Sequence, residues 1–510
     1  MGRDPGAGGT TGPASPTVPT VVERVTGAAR ELLAGRRVVL AHLPVAGARS
    51  LVGQLCELGA ERCFVVAPFV GAGDMPDAAV TEWYSLDLRG DDAIDLFRQF
   101  ERAMADPPAE LVAALDAFDP AGDSLVLVMP LDATTSVVGR PAFGARRPEW
   151  VALEDKTTND ALFERAGVRC APSEVVPADD RAALDAAAAR LDGGAGTVWS
   201  GDAREGFNGG GVLVRWVTDP DGAARAHELM AGRCDTVRIA PFLDGVPCSI
   251  HGIVTTDGVA VFRPMEMVTL RTSDPPGFRY AGVSSFWDPP DADRVVMRDA
   301  ARRVGALLRE EVGFAGSFGI DGVLTADGFR PTELNPRMGG GLSVVARALP
   351  DVPLFPLHWI TAADLPLPVS AVELEDTLTA AADAARGGGA WTFVSSEIEE
   401  TTHCRLVVDG GTCHPVADGD QADVDVTIGP GGEGGFVRCV ADPDRTPVGP
   451  SLAPRMATVL NWLDTRHDLG LGPLTPATPA ETTATRSPSE SGRSATEAKG
   501  EDGAVAVRSR

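Results

Sequence analysis

The chain has 510 residues, with 72 acidic against 45 basic side chains, a net charge of −27 and 44% hydrophobic residues. That length implies about two to four domains with ample cores, and the negative field disfavours nucleic acid and anionic membrane surfaces as partners. Eight cysteines without a C-x-x-C pair read as buried thiols of a reducing cytoplasm, and neither a signal peptide nor an apolar run of about 18 residues argues for export or membrane spanning.

Residues 1–20 are rich in Gly, Pro and Thr and read as a flexible tail. Between 21 and 148 strands and helices alternate: strand 37–41, helix 49–58, strand 63–67, helix 93–105 and strand 125–129. An α/β, Rossmann-like domain is expected there, without a dinucleotide because G-x-G-x-x-G is missing. The stretch 149–365 combines helix 181–191, strands paired around Asp257-Gly258, an acidic hairpin and a helix 342–349. From 366 to 470 the chain turns β-rich and acidic, with Asp409-Gly410-Gly411 as a hairpin turn and a closing helix 452–463, which predicts a small C-terminal lobe. Residues 471–510 are rich in Pro, Thr, Ser and Glu, and disorder is expected.

The chemistry concentrates in Glu333-Leu334-Asn335-Pro336-Arg337-Met338-Gly339-Gly340-Gly341, with Asp321 twelve residues before its glutamate. Strand-like residues flank the turn Ala326-Asp327-Gly328, and a hairpin symmetric about Asp327 sets Asp321 opposite Glu333. Opposed residues stand ~4.5–5.5 Å apart at Cβ, where two carboxylates at an effective dielectric near 20 repel by roughly 3 kcal/mol. A cation between them removes that cost. Asn335 points the same way, since strand side chains alternate, and hard oxygen donors suit magnesium, or manganese in its place, shared with substrate phosphates. The competing reading is a solvated acidic face; against it stand the apolar neighbours Phe318, Ile320, Val323 and Leu324. Pro331 argues for an edge or a bulge, and a slip of one residue separates the acids. The glycines after Arg337 open a helix and leave backbone N–H groups to meet an anion.

Lys156 and Lys499 are the only lysines among the 45 basic residues, and the second lies in the C-terminal tail. A lysine kept in an arginine chain points to a compact charge on phosphate, against the alternative of a chance survivor. The run Glu205-Gly206-Phe207-Asn208-Gly209-Gly210-Gly211 fits a loop that folds its amides over phosphates, or an ordinary hairpin loop. No Walker sequence and no G-x-S-x-G occurs. His251, His358, His403 and His414 lack zinc-ligand spacing and are expected to be structural.

Asp321 followed by Glu333-Leu334-Asn335-Pro336-Arg337, together with Asp155-Lys156, Ala166-Gly167-Val168 and Pro172 upstream, resembles the ATP-grasp superfamily over about residues 150–365. The resemblance implies a Rossmann-like N-terminal domain (21–148), a two-lobed α+β ATP-grasp module (149–365) and a β-rich C-terminal lobe (366–470). It implies ATP and magnesium as cofactors, a carboxylate and an amine as small-molecule substrates, amino acids or peptides among them, and leaves homo-oligomerisation open. Asp321, Glu333 and Asn335 would hold the metal and Arg337 would be catalytic. Lys156 with Gly206, Asn208, Gly209, Gly210 and Gly211 would hold the triphosphate. Pro241, Phe242, Leu243 and Asp244 would form the linker that reads adenine, and Gly339, Gly340 and Gly341 would bind substrate.

Two positions depart from the family pattern. Ser200 stands where a second base is usual, with Arg204, Arg215, Arg263 or Arg279 as replacements; Pro247 stands at the ribose acid, with Asp244 or Ser249 instead. The implied activity is ATP-dependent ligation of a carboxylate to an amine through an acyl phosphate. A bicarbonate-using carboxylase-type enzyme and a nucleotide-binding module without turnover are the alternatives.

Overall fold

A computed structural model describes residues 19–131, 133–206 and 209–477. Most of both predicted tails, with Lys499, and Asn208 of the glycine-rich loop lie outside the described residues. Among the described residues no helix is long and apolar enough to cross a membrane.

The N-terminal domain is a parallel sheet in the order β3-β2-β1-β4, made of β1 (Arg37–Ala41), β2 (Arg62–Ala67), β3 (Thr81–Ser85) and β4 (Leu125–Val128). Beyond their opening Arg37 and Arg62, its central strands are apolar because both faces are covered. Val38 and Leu40 pack under α1 (Val21–Leu33) and α2 (Arg49–Glu57), while Val39 and Ala41 face α3 (Ala93–Ala105) and α4 (Ala109–Phe118). A short hairpin, β5 (Ser136–Val137) with β6 (Arg140–Pro141), and α5 (Pro148–Val151) lead out of it.

The chain then enters a small lobe through α6 (Asn159–Arg165). Its antiparallel sheet runs β7-β10-β8-β9, from β7 (Glu174–Pro177), β8 (Thr197–Gly201), β9 (Val214–Val217) and β10 (Thr236–Pro241). Helices α7 (Arg181–Leu191) and α8 (Pro220–Arg233) back it through Leu184, Ala187, Ala226 and Met230.

The large lobe is a seven-stranded sheet. Its path is β14-β13-β11-β15-β16, from β11 (Val246–Val254), β13 (Met265–Ser273), β14 (Pro276–Ser284), β15 (Gly316–Thr325) and β16 (Gly328–Asn335). Strand β12 (Val259–Val261) pairs with β11, and β22 (Leu474–Pro476) with β13. Helix α9 (Asp291–Val312) covers one face; α10 (Gly340–Ala348), α11 (Leu354–Ala362) and α12 (Ala371–Ala384) cover the other. The N-terminal domain is tied on by Trp359 of α11, which enters its core and donates Nε1–H to the Val128 carbonyl at 3.0 Å.

The C-terminal lobe is a five-stranded antiparallel sheet, β17-β21-β20-β18-β19. It comprises β17 (Gly389–Val394), β18 (Thr402–Asp409), β19 (Thr412–Val416), β20 (Val424–Gly431) and β21 (Gly434–Ala441), packed on α13 (Ala453–His467). The chain is not yet β-rich at 366, because residues 371–384 form α12, opened by a capping box of Ser370 and Glu373. Glu375 of that helix accepts from Val261 N at 2.8 Å and pairs with Arg302 of α9 at 2.7 Å, so α12 packs with the large lobe.

Candidate active site

Strands β15 and β16 place Asp321 directly opposite Glu333, by a route other than a symmetric turn. Thr325 pairs with Gly328 across the two-residue turn Ala326-Asp327, and that register continues to Gly322 and Pro331. Continued further it would set Asp321 against Thr332. Instead Thr332 bulges beside Pro331, whose missing N–H weakens the ladder there, and the register shift brings Glu333 back opposite Asp321. The proline that threatened the acid pair thus sits beside the irregularity that makes it.

The neighbours of the two acids come partly from β16 itself and partly from segments far away in sequence. Lys156, only 6% exposed, donates Nζ–H to Glu333 Oε1 at 2.8 Å. Ser249, opposite Asp321 on β11, donates to the Asp321 carboxylate and lies 3.2 Å from His251 Nε2. Burial pushes the Asp321 pKa well above the usual carboxylate range, and the Glu333 charge adds to the rise. Arg337 is buried and oriented by two acceptors: its Nε lies 3.1 Å and 3.3 Å from the Glu154 oxygens, and its Nη2 donates to Asn335 Oδ1 at 2.7 Å. Glu154 in turn pairs with Arg146.

Asn335 departs from the expected role of oxygen donor to the acid pair. Its Nδ2 donates to Asp321 Oδ2 at 2.9 Å while its oxygen faces Arg337, so it bridges the two. Among the described residues no group of three His, Cys, Asp or Glu side chains gathers to hold a metal. A pair of opposed carboxylates still fits magnesium, which takes one or two protein carboxylates and fills its shell with water and substrate phosphate. Burial is the larger cause of the raised Asp321 pKa, and a divalent cation at the pair would offset the Glu333 charge that adds to it.

The three glycines after Arg337 are required by close approach, since none of them has positive φ. A Cβ on Gly341 would stand 2.3 Å from His251 Cε1, and one on Gly340 would stand 2.8 Å from the Tyr280 hydroxyl. His251 is 3% exposed, and burial together with the Arg337 charge lowers its pKa to about 4, which keeps the ring neutral. Gly341→Ala is therefore expected to destabilise by ~1–3 kcal/mol through overpacking. His251→Ala in the same chain should restore part of that loss; a melting temperature unchanged by Gly341→Ala would contradict this packing.

In the glycine-rich loop, Gly206, Gly210 and Gly211 have φ of +89°, +66° and +76°, a backbone only glycine adopts readily, while Gly209 is buried. Glu205 ties the loop to Arg98 of α3 and Arg233 of α8. The linker that follows Pro241 carries Phe242, whose ring stacks 4.8 Å from Trp216 and lies 6.2 Å from Phe278. Arg271 caps Phe242 at 4.9 Å and reaches Asp244 at 3.3 Å, and Leu243 is half-buried between them in sequence.

The arginines offered as replacements for the base at Ser200 are engaged elsewhere. Arg263 is fully buried against Asp288, Asp383 and the Ser285 carbonyl; Arg279 donates to Thr392 at 3.1 Å. Arg204 holds Asp235 and the Gly232 carbonyl, and Arg215 holds the carbonyls of Val212 and Val214. Arg238, which was not considered from the sequence, lies directly across from Ser200 on β10, and it too is engaged, by Asp160. Period-two alternation along β10 exposes it only once the β8–β10 register is known. Ser249, offered for the ribose, stands at the acid pair instead.

No family model and no curated protein sequence matches the chain. Solved structures do resemble it. A biotin carboxylase–β,γ-ATP complex from Campylobacter jejuni superposes with a TM-score of 0.52 at 12% identity, covering 79% of this chain and 86% of that one. Phosphoribosylamine–glycine ligase from Thermotoga maritima gives 0.48 at 13% identity, and L-amino acid ligase from Bacillus licheniformis gives 0.46 at 13%; each match covers 80% of this chain and 94% of the other. With a parallel N-terminal domain, two antiparallel lobes and a C-terminal sheet in this order, the chain has the ATP-grasp fold.

Proposed function

We propose that the protein is an ATP-dependent ligase that joins a carboxylate to an amine through an acyl phosphate. The observation that carries this reading is the opposition of Asp321 and Glu333 across a bulged hairpin, with Lys156 on one acid and Arg337 held beside them through Asn335. Asp321 and Glu333 would hold magnesium, which would supply positive charge to a bound triphosphate. Lys156 balances the Glu333 charge and stands ready for phosphate, while the loop of Gly206, Gly210 and Gly211 covers the triphosphate. A substrate carboxylate oxygen attacks the γ-phosphorus, the bond to the bridging oxygen breaks and ADP leaves. An amine then adds to the acyl carbon, phosphate departs with the carboxylate's oxygen, and the amine loses a proton. Arg337 meets the negative charge that develops during transfer. The amides of Gly339, Gly340 and Gly341 at the start of α10 meet a substrate oxyanion.

The test is ADP release across a panel of amino acids and short peptides, with mass spectrometry of the products. An amide product formed together with ADP is the expected result. ADP release that needs bicarbonate and no amine would replace this reading with the carboxylase type, and ATP binding without turnover on any substrate would replace it with a nucleotide-binding module.

A further inference from the structure

Helix α10 starts at the glycines and carries Arg347 seven residues after Gly340, two turns on and on the same helix face, roughly 10 Å along the axis. Gly340 lies against the Tyr280 hydroxyl of β14, so that face looks toward β14 and the strand beyond it. Trp391 of β17 meets the Tyr280 ring edge-on at 5.6 Å and is paired across the sheet with Arg438 of β21. Phe393, 6.5 Å from Trp391, lies on the same face, which alternation leaves partly open while the opposite face packs on α13. Arg347 and Arg438, both exposed, therefore lie near enough for their charges to interact, on a face carrying the Trp391 and Phe393 rings, and Tyr280 is within reach of the Arg347 and Asp321 charges alike.

Neither arginine has an ion pair or hydrogen bond among the described residues, in a chain with 72 acidic side chains. Arg347 stays accessible to solvent, yet the protein around it and the neighbouring Arg438 charge lower its pKa to about 10. Two like charges held together beside aromatic rings gain most from a shared oxyanion, which two guanidinium forks bind with charge-assisted hydrogen bonds.

We propose that Arg347 and Arg438 form a subsite for an anionic group of the substrate, a carboxylate or a phosphate monoester, remote from its reacting end, with Trp391 and Phe393 covering the apolar part between. Which end reacts rests on the ligase reading above; the anion site itself does not. The substrate class is then an amino acid or peptide with a free carboxylate, or a phosphorylated amine or acid.

The experiment compares wild type with Arg347→Gln, Arg438→Gln and the double variant in two measurements. In the first, inorganic phosphate and N-acetylglycine, with N-acetylglycinamide as the uncharged control, are titrated and followed by calorimetry without ATP. Saturable binding of either anion that the double variant loses supports the subsite; no saturable binding, or binding the double variant keeps, overturns it. In the second, ADP release is measured with each active substrate as free acid and carboxamide, and as phosphate ester and parent alcohol. The kcat/KM preference for the charged form should fall about tenfold in each single variant. Preference for the acid identifies a carboxylate source and preference for the ester a phosphate source. No preference in wild type, or a preference the variants keep, overturns the assignment. Should nothing turn over, the ligase reading fails and the titration alone decides the subsite.

Discussion

Asp321→Asn and Glu333→Gln are each expected to abolish ADP formation while leaving the fold in place. The two acids face each other only because Thr332 bulges, and each substitution keeps the side-chain shape while removing the charge that positions magnesium. Their effects on stability should differ in sign. Burial and the Glu333 charge hold Asp321 above the usual carboxylate range, so a neutral asparagine relieves an existing cost and the melting temperature should hold or rise. Glu333→Gln leaves the buried Lys156 ammonium with a weaker acceptor and should destabilise, by ~1–3 kcal/mol. A folded variant of either kind that keeps near wild-type rates at saturating magnesium contradicts the metal assignment.

Arg337→Ala should lower kcat by about 10²–10³-fold, the scale of losing one preorganised donor to developing charge. KM for ATP should change little, because that charge arises only during transfer. The substitution also removes a partner from Glu154, although Arg146 remains, and a donor from Asn335, so some loss of stability accompanies it. Single-turnover ADP formation in the folded fraction separates the two effects. Normal single-turnover rates in a destabilised protein would make Arg337 an anchor for Glu154 and Asn335 rather than a catalytic residue.

What was legible in the sequence was local. Strands β1, β2 and β4 and helices α2 and α3 of the N-terminal domain follow from apolar runs and periodicity, whereas β3, α1 and α4 were not read there, and the acid pair follows from a short hairpin around Asp327. The bulge at Thr332 was foreshadowed by Pro331, but its direction depends on how β15 also pairs with β11. Glu154 meets Arg337 across 183 residues, and Lys156 meets Glu333 across 177, distances over which no spacing rule operates. The resemblance named Lys156 and Arg337, whereas Glu154 as their neighbour needed coordinates. His251 was expected to be structural; it packs against Gly341, beside Ser249 at the acid pair, because alternate residues of β11 share the face that meets Asp321.

Arg263 shows the reverse failure. It is a cation in the right stretch of chain, itself buried, whose carboxylate partners, Asp288 and Asp383, lie 25 and 120 residues further on. Helix α12 was hidden by the composition around it, although its capping box Ser370-Ala371-Val372-Glu373 stands in the sequence.

In the proposed reaction a substrate carboxylate, and not water, takes the γ-phosphoryl group. This step is tested most directly by labelling that carboxylate with ¹⁸O and analysing the phosphate released with ADP. Transfer of one labelled oxygen into the phosphate for each amide formed is the predicted result, since the acyl-phosphate bridge keeps the carboxylate's oxygen when the amine displaces it. Phosphate whose new oxygen comes from solvent would contradict the account.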